Sequence, residues 1–442
     1  MIFRRSLSLV PVAAALGSLS RSAAQDPVHA SSPAPAASAT VYTLPDTPLA
    51  AFQNAKLPHS IDDDHELLLG GIGSDLWHGP QDKPDEFWMV TDRGPNGQVK
   101  VGEDTRRTFP VATFDPTIVH VQVAGGVIRI LEALPILTVS GKPVTGLPNI
   151  EKHDETPYDF TAQTKLAWNQ NGLDTEGLVR TSRGDFWLCD EYAPSLVHVD
   201  KDGKVVARYV PADAKYDAAD YPVVPALPAL FGKRKSNRGF EAIALGPDEK
   251  TVYAVMQSPL SNPDKKTGDS SRSTRILAFD VASQKATAEY AYLFEDAQSF
   301  GEKSAPGDMK VSGAVCLGGS RLLVLERTDE VARVYLADLA RATNLLGTQW
   351  DDPKTTPSLE ALDPSAGPVV AVSKKLVVDL NQIDGHPDKI EGIAVVDATT
   401  LAFVNDNDFD IGDFDASGRN KGAGVKISLV VARLREPLPS GK

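Results

Sequence analysis

Three stretches of sequence repeat one pattern that decides the fold: DTEGL (174–178), RGFEAI (238–243) and KIEGI (389–393). In each, a glutamate is followed by glycine or alanine and then by an aliphatic residue. A second β-type run follows about ten residues later, which is the spacing of a β-hairpin. Two weaker copies begin at Gly73 and Ser312. Because each copy precedes about two further β-type runs, the repeats predict four-stranded units arranged radially.

The sequence therefore predicts an all-β chain with a β-propeller fold and five blades read from the repeats. A sixth blade could lie within residues 100–170, or be completed by pairing a strand near Val41–Leu44 with the last strand near Ser428–Leu434. A β-sandwich or two separate all-β domains would account for the strands but not for the repeated glutamate hairpin. The best candidate for an amphipathic helix is the short segment Leu336–Leu346.

The N-terminus has the pattern of an export signal. Arg4 and Arg5 precede the mostly apolar run Leu7–Leu19, and small residues that signal peptidase accepts follow, so cleavage is predicted near Ala24–Gln25. Export places the protein in the periplasm or outside the cell, and the route, Sec or Tat, stays open. The chain is divided into a signal peptide, a flexible leader rich in Ala, Ser and Pro, and one folded domain, at residues 1–24, 25–40 and 41–442.

The chain is acidic, and this limits its partners. Its formal net charge is −14, and removing the three arginines of the predicted signal peptide makes it −17. Such a charge repels nucleic acid and anionic membranes and suits a cation, or an anionic substrate bridged by a cation. No later run is apolar enough to span a bilayer, and we expect a monomer. Cys189 and Cys316 both lie in apolar runs, which favours buried free thiols but leaves one disulfide open.

In a propeller, the innermost strand of every blade lines a central channel, so a polar residue repeated in each blade forms a ring. Carboxylates that face one another in such a ring need compensation, and a calcium ion, which takes oxygen ligands, is an economical one. In the alternative, purely structural role, each glutamate accepts backbone N–H bonds and an arginine neutralises it. The predicted ring consists of Asp92, Glu176, Glu191, Glu241, Glu326, Glu391 and Asp406, interspersed with Arg93, Arg238 and Arg327.

Several common catalytic and binding signatures are absent from the sequence. It has no Gly-x-Ser-x-Gly elbow, no glycine-rich phosphate loop and no histidine pair with zinc spacing. The run from Asn405 to Asp415 alternates aspartates like a calcium loop, but Gly412 is one place late and Ser417 replaces the closing glutamate of an EF-hand. We expect Asp406 and Asn407 to be functional and the later aspartates to be solvated.

Seven short motifs follow one another along the chain: FWMVTDRG (87–94), LDTEGLV (173–179), FWLCDEY (186–192), NRGFEAIA (237–244), LVLERTD (323–329), IEGIAVV (390–396) and LAFVNDNDF (401–409). Their order resembles that of the phytase-like family, which is described as having esterase-like activity. The chain departs from the family at Ala242, which follows the third acid where a glycine is common. The resemblance implies an exported hydrolase of phosphate esters, by analogy with calcium-dependent propeller phytases.

Three hypotheses follow from these observations. In the first, a calcium-assisted hydrolase acts on a small anionic phosphate ester, with Asp92 or Glu191 as general base. The second is a non-catalytic periplasmic binding or scaffold propeller that keeps the metal for stability. The third is a lactonase-type enzyme that cleaves a carboxylic ester. In the first hypothesis calcium is held by Glu176, Glu241, Glu391 and Asp406, and phosphoryl charge is stabilised by Arg93, Arg238 and Arg327.

Overall fold

The computed structural model describes residues 36–151, 154–362 and 367–439. The predicted signal peptide and the predicted leader up to residue 35 lie outside the described residues. Within them the regular structure is nearly all β-strand, with two short α-helices, α1 at Leu49–Asn54 and α2 at Lys265–Ser270.

The strands are short and are separated by turns rich in glycine, proline and aspartate, as the sequence pattern predicts. In chain order they are β1 Ala36–Thr43, β2 Asp75–Trp77, β3 Glu86–Val90, β4 Gly97–Val101, β5 Asp104–Thr108, β6 Thr117–Ala124, β7 Val127–Pro135, β8 Pro157–Tyr158, β9 Thr175–Arg180, β10 Phe186–Asp190, β11 Ser195–Val199, β12 Val205–Pro211, β13 Val223–Leu227, β14 Phe240–Leu245, β15 Thr251–Met256, β16 Ser273–Asp280, β17 Lys285–Leu293, β18 Lys310–Gly318, β19 Arg321–Arg327, β20 Ala332–Asp338, β21 Ser373–Asp379, β22 Ile390–Asp397, β23 Thr400–Asn405 and β24 Ser428–Leu434.

Antiparallel pairing groups twenty of these strands into four-stranded units, and the fold is a β-propeller. The units are β2-β3-β6-β7, β9-β10-β11-β12, β14-β15-β16-β17, β18-β19-β20-β21 and β22-β23-β24-β1. The first strand of each unit contacts the first strand of the next, in the cyclic order β2, β9, β14, β18, β22 and back to β2. These five inner strands are the ones that the repeats open, so the predicted fold class is confirmed.

The ring is closed by the two ends of the described chain. β1 pairs with β24, with Val41 opposite Val430 and Thr43 opposite Ser428. The sequence offered this pairing as a way to complete a sixth blade, whereas in the structure it completes the fifth four-stranded unit. This pairing supplies the outermost strand of the last unit, and β1 begins at Ala36, inside the predicted leader. Within residues 100–170, β5 and β8 join β4 in a separate three-stranded sheet. No further four-stranded unit lies among the described residues of that stretch.

Apolar side chains fill the space between neighbouring units. Val90 and Leu188, for example, lie in one buried cluster between the first and second units, and Met89 and Val404 lie in another between the first and the last. The inner part of each sheet is covered on both faces, so strands such as β10 and β14 are buried throughout, whereas the outer strands β7 and β21 are partly exposed. Burial of these faces holds the units together and fixes the position of the inner strands.

The inner strands approach one another most closely at the residue that follows the repeated acid. A Cβ atom on Gly392 would lie 2.7 Å from the backbone nitrogen of Leu76, and one on Gly313 would lie 2.8 Å from Ile393 Cγ2. A side chain has no room there, which explains the glycine of the repeat. We call this narrow ring, formed by Gly177, Ala242, Gly313 and Gly392, the waist.

Two expectations about smaller features have different outcomes. The predicted helix at Leu336–Leu346 is wrong, because its first residues end strand β20 and turns follow. A short apolar run does not distinguish a helix from a buried strand by periodicity alone.

Cys189 and Cys316 are both buried as free thiols. Among the described residues, no helix has the length and apolar character needed to cross a bilayer.

We expect Gly392→Ala to lower the free energy of unfolding by about 1–3 kcal/mol, because the added methyl group is forced against the backbone of β2. Urea denaturation of the purified protein measures this loss. Gly307→Ala is the matched control, since a Cβ there meets its nearest neighbour at 3.7 Å. Equal stability of the two variants would contradict a close-packed waist.

Removal of β1 is expected to destabilise the whole propeller, because β24 then becomes an unpaired edge strand. A shortened chain that begins at Leu44 should melt well below one that begins at Ala36, at roughly 2–4 °C per kcal/mol lost. Differential scanning calorimetry compares the two. Identical melting temperatures would mean that the β1–β24 pairing contributes no stability.

Candidate functional site

The starts of the inner strands open on a polar cavity of about 160 Å³, which we call the acidic cavity. The ring predicted from the repeats is largely gathered here. Eight of the nine residues assigned a catalytic or metal-binding role line this cavity: Asp92, Arg93, Glu176, Glu191, Glu241, Arg327, Glu391 and Asp406. Their chemical roles stay predictions.

Buried carboxylates form two overlapping groups in the acidic cavity. One group consists of Asp92, Asp174 and Glu176, and the other of Glu176, Glu191 and Glu241. Within each group the selected oxygen atoms all lie within 4.8 Å of one another. Glu176 therefore stands between the two groups, where one hard cation could be reached from several sides.

The other two predicted metal ligands are paired with cations of the protein. Glu391 accepts a hydrogen bond from Nη2 of Arg327, and Asp406 accepts one from Nζ of Lys389 at 2.6 Å. Nη2 of Arg327 also lies 3.8 Å from Oε1 of Glu241. Arg327 and Lys389 thus neutralise Glu391 and Asp406, whereas Glu176 and Glu191 have no ion pair with a cation of the protein in the described part of the chain.

Several acceptor oxygens around this cavity are buried without a hydrogen-bond partner in the described part of the chain. They are carboxylate oxygens of Glu241 (Oε2), Asp174 (Oδ2) and Asp406 (Oδ1), and amide oxygens of Gln257 and Asn237. The Asp174 oxygen lies 3.3 Å from Nη1 of Arg93, as an ion pair only. Buried polar atoms are normally satisfied, so this set of oxygens fits a cation with oxygen ligands.

Burial raises the pKa of the carboxyl groups in this cavity. For Asp92, Glu176 and Glu191 the loss of hydration is the largest cause, and neighbouring carboxylates raise the pKa further. Burial also raises the pKa of Glu241 and Glu391, and that of Asp406 to about 7, although Lys389 opposes the shift at Asp406. Such a cavity takes up either protons or a cation near neutral pH.

The backbone that holds these side chains is fixed by close contacts. The N–H group of Glu191 donates to the carbonyl of Asp174 at 2.9 Å, which ties the end of one hairpin to the start of its inner strand. A Cβ on Gly239 would lie 2.2 Å from the carbonyl oxygen of Glu191. The glycine of the NRGFEA motif therefore allows the third unit to approach the acidic cavity.

Strained backbone is concentrated at the same place. Three residues that line the cavity have positive φ: Asn237 at 53°, Lys389 at 51° and Asp408 at 48°. Phe409, at 58°, is fully buried and packs edge-to-face on Phe114 with ring centroids 5.1 Å apart. Left-handed non-glycine residues cost about 1–3 kcal/mol each and persist where the surroundings over-determine them, often at functional sites.

Two members of the predicted ring lie outside the acidic cavity. Nη1 of Arg238 donates to Oγ of Ser258 at 2.9 Å and to the carbonyl of Gly307 at 2.8 Å, and Arg238 lines an adjacent cavity of about 490 Å³, the side cavity. Glu326 accepts a hydrogen bond from the Tyr292 hydroxyl at 2.6 Å, away from the axis.

Other polar residues of the cavity were not assigned a role from the sequence. Gln257 occupies the hairpin end that Glu191 occupies in the preceding unit, so comparison of the repeats contained a signal for it. Lys389 and Asn237 precede the repeated acids by two and four residues, and no pattern in the sequence shows which way such side chains turn. The unassigned lining residues are Asn96, Arg107, Asn237, Gln257, Lys310, Lys389 and Asp408.

Fold and cavity together define a β-propeller with a buried acidic site on its axis. The chain matches the family model described as "Phytase-like: Esterase-like activity of phytase" over residues 68–409. The match covers most of the chain, and the chain belongs to this family.

Similarity to individual proteins is more distant. An uncharacterized secreted protein of Arthroderma benhamiae is 26% identical over 276 residues, which are 53% of this chain and 54% of that relative. The match therefore spans about half the length of the curated relative.

Solved structures also match, at low similarity. A luciferin-regenerating enzyme has 12% identity and a TM-score of 0.34, covering 84% of this chain and 95% of that chain. Regucalcin from Agrobacterium tumefaciens, a calcium-binding protein, has 15% identity and a TM-score of 0.34, covering 84% and 94%. The Swd1 β-propeller domain of Myceliophteria thermophila has 12% identity and a TM-score of 0.32, covering 82% and 98%.

With divalent cations chelated, we expect stability to fall as the pH rises from about 5 to about 8. The folded chain holds protons on Glu176, Glu191 and Asp406 that the unfolded chain releases above about pH 4. These protons stabilise the folded chain fully at a pH below the pKa that the same carboxyl groups have in the unfolded chain. The stabilisation is lost as the pH rises through their pKa in the folded chain. Added calcium should therefore raise the melting temperature more at pH 8 than at pH 5.5.

Calorimetry with calcium and with chelator at both pH values measures this difference. Glu176→Gln should reduce it, whereas Glu132→Gln, on an exposed part of β7, should leave it unchanged. An equal calcium effect at both pH values would show that ionised carboxylates do not hold the cation.

Proposed function

We propose that this protein is an exported hydrolase of phosphoric esters that works with calcium in its acidic cavity. The observation that carries the proposal is the pair of buried carboxylate groups that share Glu176, beside unpartnered acceptor oxygens and three arginines. Membership of the phytase-like family supports a hydrolase, and the net negative charge supports a small substrate rather than nucleic acid.

Calcium would be held by Glu176 and Glu241, with further oxygens from Asp92, Asp174 and Glu191. Glu391 and Asp406 complete the ligand set through oxygens that their cationic partners leave available, such as Oδ1 of Asp406. When bound, calcium polarises a phosphoryl oxygen and neutralises the cavity. The raised pKa values of Asp92, Glu176 and Glu191 mean that binding of the cation releases protons.

The protein's own cations orient the phosphoryl group. Arg93 and Arg327 are nearly fully buried and line the cavity, so their guanidinium groups act in a dry environment where charge stabilisation is strong. Both are already fixed by carboxylates, Arg93 by Asp174 and Arg327 by Glu391. Fixed donors of this kind need no reorganisation when charge develops on the phosphoryl oxygens.

A carboxylate of the same cavity takes the proton of the attacking water. Asp92 and Glu191 are the candidates, because each belongs to one of the two carboxylate groups and each has a raised pKa. A general base with a pKa raised toward the working pH is efficient, since it is partly ionised and still basic.

The leaving group extends into the side cavity. The acidic cavity, at about 160 Å³, accommodates a phosphoryl group, and the side cavity offers about 490 Å³. Lys310 lines both cavities, and Arg238 and Lys303 line the side cavity. The side cavity is also lined by Glu302, Asp308, Asp329 and Glu330, so it favours a polar leaving group, which Arg238 would contact in place of the phosphoryl group.

The mature chain should release phosphate from 4-nitrophenyl phosphate when calcium is present and lose this activity with chelator. Glu176→Gln should lower kcat about 100-fold or more, because Glu176 belongs to both carboxylate groups and the substitution removes its charge. Glu326→Gln is the control, since Glu326 is a buried glutamate that bonds to Tyr292 and lies outside the cavity.

Two results would redirect the assignment. Cleavage of 4-nitrophenyl acetate without cleavage of phosphomonoesters or phosphodiesters would make the protein a lactonase-type carboxylic ester hydrolase. A melting temperature raised by calcium with no turnover on any ester would make it a binding or scaffold propeller.

A further inference from the structure

A second axial cavity lies at the opposite ends of the inner strands. Its volume is about 670 Å³, about four times that of the acidic cavity. Glu176, near the start of β9, lines the acidic cavity, whereas Arg180, at the end of β9, lines this one. The waist lies between them, so we name this space the opposite cavity and treat it as a separate site.

The wall of the opposite cavity is largely apolar. It includes Trp77, Leu245, Val315, Leu317 and Val395, which come from four different inner strands. A volume of this size is within the range of about 300–1,000 Å³ that small-molecule sites occupy, and such sites combine an apolar wall with a few polar groups.

Arg180 is the polar group of this wall that lacks a counter-ion. It is half-buried, and its guanidinium carbon lies 4.6 Å from the ring centroid of Trp88 and 5.9 Å from that of Phe186. In the described part of the chain it forms no hydrogen bond and no ion pair within 4 Å. The indole N–H of Trp77, in the same wall, likewise has no acceptor among these residues.

The acidic residues of the same cavity are already satisfied. Asp82 accepts from the backbone N–H of Gly79 at 2.8 Å, and Glu249 accepts from the backbone N–H of Ser182 at 2.6 Å. Asp248 pairs with Lys250 at 3.2 Å. The groups left without partners are therefore donors, and they favour an anionic ligand.

We propose that the opposite cavity binds a small amphipathic monoanion, the carboxylate of an aromatic acid. The carboxylate pairs with the guanidinium of Arg180, which offers two parallel N–H donors, and the ring packs against Trp77 and Leu317. Arg180 is a single cation, and the carboxylates of Asp82, Asp248 and Glu249 in the same lining oppose a second negative charge on the ligand, so the site disfavours a phosphate dianion. The site is independent of the hydrolytic function proposed for the acidic cavity.

Isothermal titration calorimetry with naphthalene-2-carboxylate and its neutral analogue naphthalene-2-carboxamide tests the proposal on the mature protein. We expect the carboxylate to bind at least about 10-fold more tightly than the amide, with no change when calcium is chelated. Arg180→Gln should remove this preference. Arg183→Gln is the control, because Arg183 is three residues further on, exposed and outside the cavity.

A second variant locates the ligand if Arg180→Gln does not fold. Trp77→Phe keeps an aromatic ring but removes the indole N–H, and it should weaken binding of the carboxylate several-fold. The proposal would be overturned if the unsubstituted protein did not bind the carboxylate, or if it bound the carboxylate and the amide equally. It would also be overturned if both Trp77→Phe and Arg180→Gln bound the carboxylate with unchanged affinity.

Discussion

The close approach of the inner strands around the axis is the constraint on which the rest of the structure depends. At the waist the strands pack so closely that a Cβ at Gly177, Gly313 or Gly392 would collide with neighbouring atoms, among them backbone atoms of Leu76 and Glu391. This contact brings the preceding residues of several units to one place, so glutamates that are far apart in sequence lie within a few ångströms. The same contact divides the axis into two cavities of opposite character, one lined by carboxylates and the other by apolar groups and an arginine.

Crowding of buried carboxylates opposes folding, and the surrounding structure has to offset it. Arg327 and Lys389 neutralise part of the charge, and backbone contacts behind the site hold its loops. Phe409 illustrates the arrangement, since a strained backbone at the edge of the cavity is retained by a side chain buried in the core between the first and last units. The packing of the blades therefore also determines the geometry of the site.

The repeats in the sequence predicted the fold and most of the candidate site for the same physical reason. A residue that recurs at one position of each inner strand must recur at one height along the axis, so Glu176, Glu241 and Glu391 could be placed together without coordinates. The pairing within the ring could not be predicted, because it depends on which way long side chains turn. Arg238 turns to Ser258 and Gly307, while Lys389, just before a repeat, reaches Asp406. The prediction of a helix at Leu336–Leu346 was wrong, because the periodicity of so short an apolar run does not distinguish a helix from a strand.

Closure of the ring by β1 and β24 has a consequence for the order in which the chain acquires its structure. The two strands are separated by almost the whole of the described sequence, so their pairing is a contact of very high sequence separation. The last unit cannot be completed until β24 has been synthesised, and until then the first-made strand has no partner on that side. Completion of the propeller therefore joins a strand near the start of the described sequence to one near its end.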